Sequence, residues 1–374
     1  MRLHGTGWDF KTYCSAVKAV EEGKNPYFLK DLKEYGEGYL SFLYPPSSII
    51  LFKVFCFFDK KVSYHFLWLL LLIFSFFLIK LCDKNFNSFF LMTLLITGFT
   101  ATYHNFRSGN VGLLELFFFS FVFLFLIKEK YSLFAIFLNI TAWLKVIPIL
   151  YGGLFIFLKT SRLKKLKTLS FLLIIFVFIN FSSYVFYPKI ISSYYFSVTG
   201  KIDNQNSPLN EIGDFSNPSS LFFFKELFSR LFGLNNLISF AFFILFLALV
   251  ILLFFIIRGQ RIGNLDLFSF GILSILLMLP RLKPYSFTLA LLPIYFLTKD
   301  FDYKGKFWTI TMASLLPLLL AMFSYFLKLF RLDSGFYDQI LFLSSYRQLF
   351  CLFALFVYIL KRVRRMRMIC EENS

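Results

Sequence analysis

Long apolar runs recur along this chain, and they limit its possible folds more than any other feature. Such runs cover residues 64–82, 88–103, 110–127, 131–144, 145–158, 166–187, 236–257, 265–279, 284–298, 307–327 and 337–361. Hydrophobic residues make up 58% of the chain, and its mean hydropathy is +0.70. Because a helix that crosses a bilayer needs roughly 20 apolar residues, the pattern predicts an all-α, polytopic integral membrane protein with about 11–13 transmembrane helices.

Charge is distributed unevenly between the predicted loops. The loops 80–84, 128–130, 159–167, 258–261, 299–306 and 361–367 together carry 19 Lys and Arg residues but only four acids. If the apolar runs alternate across the bilayer, all six loops lie on one face, which the positive-inside rule makes cytoplasmic. The net charge of +18 is therefore explained by orientation in a membrane, and no nucleic-acid partner is expected.

The opposite, outer face receives two long segments in which positive and negative charges balance. These segments are residues 1–41 and the loop 188–235. We therefore divide the chain into an outer juxtamembrane region (1–63), N-terminal membrane helices (64–187), a long outer loop (188–235), and C-terminal membrane helices with a basic cytoplasmic tail (236–374). Nothing apolar precedes residue 8 to hold the first segment outside, so we expect the natural chain to start further upstream.

The stretch 42–58 is apolar but is interrupted by Lys53 and opened by Pro45-Pro46. It is therefore predicted to insert partly or to lie on the membrane surface.

The five cysteines are Cys14, Cys56, Cys82, Cys351 and Cys370. Their odd number and scattered spacing argue against a disulfide framework. The three histidines are dispersed, and no metal site is predicted.

The first regular pattern on the outer face is a short amphipathic helix that begins near Asp9. Phe10, Tyr13 and Val17 recur at three- and four-residue steps, and Gly23 closes the run. Two interpretations of Asp9 are open. Its carboxylate could cap the helix, as Asp often does, or it could serve as a general base beside aromatic rings.

The motifs around this helix resemble those of a known enzyme family. GWDFKTYCSAVKAVEEGKNPY, followed by FLYPP, is similar to the first outer loop of the polyprenyl-phosphate-mannose-dependent mannosyltransferases of the GT-C superfamily. The matching positions are Gly7, Asp9, Tyr13, Ala16 or Ala19, Gly23, Pro26, Tyr27, Tyr44, Pro45 and Pro46. Looser matches follow in family order: SGNVG with Gly109 and with Asn110 in place of a Gln, LKVIP with Lys145 and Pro148, the pair Asn204-Gln205, and LPRLKPYSF at 279–287.

The resemblance implies an inverting hexosyltransferase on the outer face of the cytoplasmic membrane. Its donor would be a polyprenyl-phosphate hexose, with mannose as the expected sugar, and its acceptor a glycolipid or glycan hydroxyl. Asp9 would be the only catalytic carboxylate, and neither a cofactor nor a metal would be needed.

The chemistry also requires groups that stabilise a departing phosphate. Cations near the outer face or within spans are candidates, and Arg347 is expected well inside the last span. The candidate phosphate and substrate ligands are Lys145, Arg107, His104, Arg281, Lys283, Arg347, Tyr13, Tyr44, Asn110, Asn204 and Gln205. Glu115 is a candidate ion-pair partner for Arg107 or Lys145. For each cation, snorkelling to the headgroups or a structural ion pair is an equally good interpretation.

Two other functions use similar features. A transporter or flippase of lipid-linked sugars would also place cations within the membrane, but it needs no carboxylate on the first outer loop. A polymerase of lipid-linked oligosaccharides would also have a large outer loop.

Overall fold

The computed structural model describes residues 7–36, 42–57, 63–83, 86–198, 218–232, 236–259, 262–280, 282–320, 322–323, 342 and 344–372. Every regular element within these ranges is helical. In chain order the helices are α1 (Trp8–Glu21), α2 (Leu29–Lys33), α3 (Ser48–Cys56), α4 (Ser63–Cys82), α5 (Ser88–Thr97), α6 (Ala101–Ser108), α7 (Gly112–Ile127), α8 (Tyr131–Leu144), α9 (Ile149–Gly153), α10 (Arg162–Phe186), α11 (Pro188–Val198), α12 (Ser220–Phe232), α13 (Asn236–Arg258), α14 (Asn264–Met278), α15 (Thr288–Thr298), α16 (Tyr303–Ile310) and α17 (Arg347–Glu372).

Helix length and apolarity confirm an all-α, polytopic membrane protein. Among the described residues, three helices are long and apolar enough to cross a bilayer: Tyr64–Cys82, Arg162–Val185 and Leu237–Arg258. Four shorter apolar helices accompany them: Gly112–Ile127, Tyr131–Leu144, Asn264–Met278 and Pro284–Thr298. Large apolar side chains remain exposed on the long helices, for example Phe66 on α4 and Phe178 on α10. In water this would be unfavourable, whereas lipid covers such surfaces at no cost.

The chain forms two compact units. The first comprises residues 1–84, 103–156 and 160–211, and the second comprises residues 85–102, 157–159 and 212–374. Within the first unit, α7 packs against both α4 and α8, and α8 packs against α10. Within the second unit, α14 packs against α13, α15 and α17.

Two predicted spans are broken in the structure. The run 88–103 stops at Thr97, because Phe99 and Thr100 adopt left-handed backbone angles (φ of 52° and 56°). The buried Gln348 side-chain amide donates to the Phe99 carbonyl at 2.5 Å, which provides a partner for the interrupted backbone. The run 145–158 is not one helix either. Its first residue, Lys145, has an extended backbone (φ −141°, ψ 137°), and the run then contains the short α9 followed by a 3₁₀ turn at Leu154–Phe157.

In the described part of the segment 42–58, residues 42–57, the helical element is the nine-residue α3. At 1.5 Å per residue this helix is about 13 Å long, which is too short to cross a hydrocarbon core of roughly 30 Å. A helix of this length fits the predicted partial insertion or surface position.

One expectation about the cysteines was wrong. Cys14 of α1 and Cys56 of α3 form a disulfide with their Cα atoms 5.4 Å apart. The two residues are 42 positions apart in sequence, and their approach depends on the packing of α1 against α3. Cysteine count and spacing cannot show which two residues a fold brings together.

Candidate active site

Helix α1 carries Asp9 and is anchored at its first turn. The N-cap position belongs to Gly7, whose left-handed backbone (φ 77°) lets its N–H donate to the Arg107 carbonyl at 2.9 Å. Asp9 is therefore not the N-cap residue, so the capping interpretation does not hold. As predicted, the helix is amphipathic, and it buries Phe10, Tyr13 and Val17 on one face.

The turn between α6 and α7 lies against this helix. Gly109 has a φ of 71°, and a side chain at this position would collide with α1, because an added Cβ would be 2.7 Å from the Phe10 Cβ. Asn110 follows and is completely buried. Its backbone N–H donates to the Ser108 hydroxyl at 3.1 Å, and its carbonyl accepts from the Trp68 indole at 2.8 Å. These two hydrogen bonds fix the backbone of the turn, independently of the contacts that the Asn110 side chain makes.

The Asn110 side chain joins the predicted acid to two predicted tyrosines. Its Nδ2 atom donates to Asp9 Oδ2 at 2.9 Å, and lies 3.1 Å from the Tyr13 hydroxyl and 3.3 Å from the Tyr44 hydroxyl. The two hydroxyls are 2.7 Å from each other. Tyr27 completes the arrangement, because its hydroxyl donates to the Tyr44 carbonyl at 2.6 Å. Motifs that are far apart in sequence therefore meet at one amide.

A buried ion pair lies on the other side of this amide. Lys145 Nζ is 2.6 Å from Glu115 Oε2 and donates to Asn110 Oδ1 at 3.3 Å. The Glu115 side chain is 1% exposed and that of Lys145 is 17% exposed. Of the two partners considered for Glu115, the structure selects Lys145. We use the name Asp9 cluster for Asp9, Tyr13, Tyr44, Asn110, Glu115 and Lys145.

Two other predicted cations lie in the same unit as the cluster. The exposed Arg107 places its guanidinium 5.8 Å from the centre of the Trp8 ring, next to Asp9 in sequence. His104 lies one turn earlier on α6, half-buried beside Tyr103. Both cations are carried by the helix that leads directly into the Gly109–Asn110 turn.

The other predicted ligands lie either in the second compact unit or outside the described residues. Lys283 and Arg347 belong to the second unit. Arg347 was expected well inside a span, but it is the first residue of α17, and its Nη1 donates to the Ser344 carbonyl at 2.6 Å. Arg281, Asn204 and Gln205 lie outside the described residues.

Trp68 is a member of the site that sequence reasoning missed. It is 1% exposed, and its indole N–H holds the Asn110 carbonyl. A tryptophan in an apolar run most often indicates a position at the membrane interface, so the sequence carried no sign of this contact.

A small cavity opens beside the cluster, between α8, α10 and the residues that follow Tyr44. It is lined by Pro45, Ser47, Asn139, Ala142, Trp143, Val146, Phe176, Ile179 and Asn180. Within the described part of the chain, no charged side chain contributes to its wall.

The described residues contain no group of three or more His, Cys, Asp and Glu side chains close enough to hold a metal ion. That the reaction needs no metal stays a prediction.

The fold and the cluster together define a helical membrane protein with a polar site built around a carboxylate. The sequence model of Glycosyltransferase family 87 matches residues 42–280, which is more than half of the 374-residue chain. The chain therefore belongs to Glycosyltransferase family 87, and it is a membrane glycosyltransferase. A comparison with curated proteins finds no match. The matched region includes Tyr44, Asn110, Glu115 and Lys145, whereas Asp9 and Tyr13 precede it.

Proposed function

We propose that this glycosyltransferase moves a hexose, mannose in the first instance, from a polyprenyl-phosphate donor to a hydroxyl of a glycolipid or glycan. The reaction takes place on the extracytoplasmic face of the cytoplasmic membrane and inverts the anomeric centre. The observation that carries the proposal is the contact between Asp9 Oδ2 and Asn110 Nδ2 at 2.9 Å. It joins the acid of the first outer loop to the part of the chain that matches the family.

Asp9 acts as the general base. Its carboxylate takes the proton of the acceptor hydroxyl while the hydroxyl oxygen forms a bond to the anomeric carbon. The bond between that carbon and the phosphate oxygen breaks, and polyprenyl phosphate leaves with the electron pair. A base must be ionised, and the N–H of Asn110 favours the ionised form because it donates to a carboxylate oxygen.

The departing phosphate needs positive charge or N–H donors nearby. Arg107 and His104 are suited to this role, because α6 holds both next to the turn that carries Asn110. Arg107 is exposed, so a phosphate at the headgroup level could reach it. The long prenyl chain of the donor would then lie in lipid along the apolar helices.

The disulfide supports an extracytoplasmic site. Disulfides persist in oxidising compartments and are rare in the cytosol. Cys14 lies on the same helix as Asp9, and Cys56 lies on the helix that follows the YPP motif. The distribution of cations over the loops predicts the same face for this region, from independent residues.

The first prediction concerns Asp9. Membranes that contain the protein are assayed for transfer from radiolabelled polyprenyl-phosphate mannose. We expect Asp9→Asn and Asp9→Ala to lower the rate by about 10²- to 10⁴-fold, the usual contribution of a positioned base. Glu22→Gln is the matched control, because it removes an exposed carboxylate at the end of the same helix and should leave transfer unchanged.

Undiminished transfer by both Asp9 variants would exclude the base assignment. A wild-type protein that moves the labelled lipid across the membrane without transferring its sugar would instead favour the flippase. Repeating the assay with other polyprenyl-phosphate hexoses identifies the sugar. The lipid-linked species that accumulates when the protein is deleted identifies the pathway step.

A further inference from the structure

The two ends of the Asn110 side-chain amide are chemically opposite, and only one of them can face a carboxylate. Nδ2 donates hydrogen bonds, whereas Oδ1 only accepts them. If the amide were rotated by half a turn, Oδ1 would point at Asp9 and two oxygens without a proton between them would repel. The orientation of this amide therefore decides whether Asn110 supports or opposes an ionised Asp9.

Two donors lie at the Oδ1 end of the amide. The Gly112 backbone N–H donates to Oδ1 at 3.2 Å, and Lys145 Nζ donates to it at 3.3 Å. The backbone contact is modest in strength, since it joins two neutral groups. The ammonium of Lys145 is charged, and a charge-assisted hydrogen bond is roughly twice as strong as a neutral one. Lys145 is therefore the stronger of the two contacts that set the orientation.

Glu115 holds Lys145 in that place. The two side chains belong to neighbouring elements, with Glu115 in the first turn of α7 and Lys145 just after α8. Their 2.6 Å contact has the Glu115 carboxylate almost fully buried, and the second carboxylate oxygen, Oε1, is buried without a hydrogen-bond partner. A buried charge with an unsatisfied oxygen is costly for stability. Apolar side chains would serve packing alone at lower cost, which points to a role beyond folding.

We propose that Glu115 is a positioning residue for transfer: it keeps Lys145 on Asn110 Oδ1, so that Nδ2 stays on Asp9. This inference rests on the proposed function and deepens it. It gives Lys145 a role inside the Asp9 cluster, in place of the contact with the donor phosphate that the sequence suggested. It also explains how Glu115 acts on the base Asp9 through Lys145 and Asn110.

The test is a double-mutant cycle between Glu115 and Asn110, using Glu115→Gln, Asn110→Ala and the two together. The rates are measured with detergent-solubilised protein and polyprenyl-phosphate mannose, and size-exclusion chromatography confirms that each variant is folded. We expect Glu115→Gln to lower kcat by about 10-fold with little change in KM for the donor, as loss of a hydrogen bond to a charged group implies. In the Asn110→Ala background the same substitution should have no further effect.

A second variant covers the case in which Glu115→Gln does not fold because the Lys145 ammonium loses its ion pair with Glu115. The pair Glu115→Gln with Lys145→Met removes both charges at once, which a buried site tolerates better than the loss of one. Its kcat should fall at least as far as that of Glu115→Gln, because Oδ1 has lost its stronger donor and keeps only the Gly112 N–H. Glu129→Gln is the control, since it changes an exposed acid at the opposite end of α7.

Several results would overturn the inference. One is an effect of Glu115→Gln that is equally large with and without Asn110. Another is a wild-type kcat in the charge-free pair. A third is a raised KM for the donor at unchanged kcat, which would assign Lys145 to the donor phosphate. None of these depends on the Asp9 result: if Asp9→Asn is inactive while the cycle is additive, only this inference fails, and if Asp9→Asn is fully active, the proposed function itself fails.

Discussion

Gly109 has little space around it, because α1 packs closely against the turn. This close packing holds Asp9 next to Asn110. Its φ of 71° is strained for any residue with a side chain, and an added Cβ would be 3.3 Å from the Gly7 Cα as well as 2.7 Å from the Phe10 Cβ. We expect Gly109→Ala to lower the free energy of unfolding by more than about 1 kcal/mol and to reduce transfer, because α1 must move away from the turn. Thermal unfolding and the transfer assay measure the two effects.

The matched control for this substitution is Gly153→Ala. Gly153 lies in the same unit on α9, its φ is not positive, and an added Cβ would meet no atom within 4 Å. It should leave both stability and transfer unchanged. If Gly109→Ala behaves like Gly153→Ala, the close approach of α1 to the turn is not required for activity.

At the scale of single residues, the sequence pointed to the six residues of the Asp9 cluster, but apart from the candidate pair of Glu115 and Lys145 it did not predict the contacts among them. Asp9, Tyr13, Tyr44 and Asn110 all stand out as motif positions. Asp9 and Asn110 are nevertheless 101 positions apart, and nothing in one sequence indicates that an amide donates to a particular acid at that separation. Trp68 could not be predicted at all, because its contribution is a single N–H directed at a backbone carbonyl.

At the scale of elements, the disulfide links α1, which carries Asp9 and Tyr13, to α3, which follows the YPP motif. Tyr13 of α1 stacks on Phe52 of α3 with ring centres 4.5 Å apart, so packing and the covalent bond act on the same pair of helices. We expect Cys14→Ser with Cys56→Ser to cost about 2–4 kcal/mol of stability, the usual contribution of a bridge that closes a loop of this size. The melting temperature and the transfer rate should both fall.

Treatment of the wild-type protein with a reductant should reproduce this loss, and the double variant should no longer respond to the reductant. A control protein with Cys82→Ser and Cys351→Ser keeps the bridge and should behave as wild type, because both thiols are free in the structure. A wild-type rate in the double Cys14 and Cys56 variant would show that packing alone holds α1 on α3.

Hydropathy predicts the boundaries of an element where the helix is regular. The prediction fails where the backbone breaks. The predicted span 131–144 coincides with α8, and 64–82 coincides with α4 to within one residue. The break at Phe99 could not be foreseen, because apolar side chains report burial or lipid exposure and carry no information about φ. What stabilises that break is Gln348, a polar side chain almost 250 residues away.

At the scale of the whole molecule, the distribution of charge predicts the orientation in the membrane. Arginine and lysine are concentrated in loops such as 159–167, where α10 begins. In the loop 188–235, which follows the other end of α10, basic and acidic residues are equal in number. This asymmetry is an average over many residues, so errors in single helix boundaries do not change it. The assignment of 128–130 and 159–167 to the same face stays a prediction, because it requires the broken run 145–158 to return the chain across the membrane.

The last prediction tests that orientation directly. Lys189→Cys and Lys130→Cys are made separately in a background with Cys82, Cys351 and Cys370 replaced by Ser. Both lysines are exposed in the structure, the first on α11 and the second in the turn before α8. We expect a membrane-impermeant maleimide to label Lys189→Cys in intact cells, because the charge distribution predicts that α10 leads from a cytoplasmic loop to the outer face. Lys130→Cys should label only after permeabilisation.

Labelling of both variants in permeabilised cells is the control that each thiol is accessible. The reverse pattern in intact cells would place α11 in the cytosol, together with the rest of the outer segments. Because the cytosol keeps thiols reduced, we would then expect the bond between Cys14 and Cys56 to be absent in cells. A single labelling result therefore tests the orientation, the compartment of the disulfide and the side of the membrane on which Asp9 meets its acceptor.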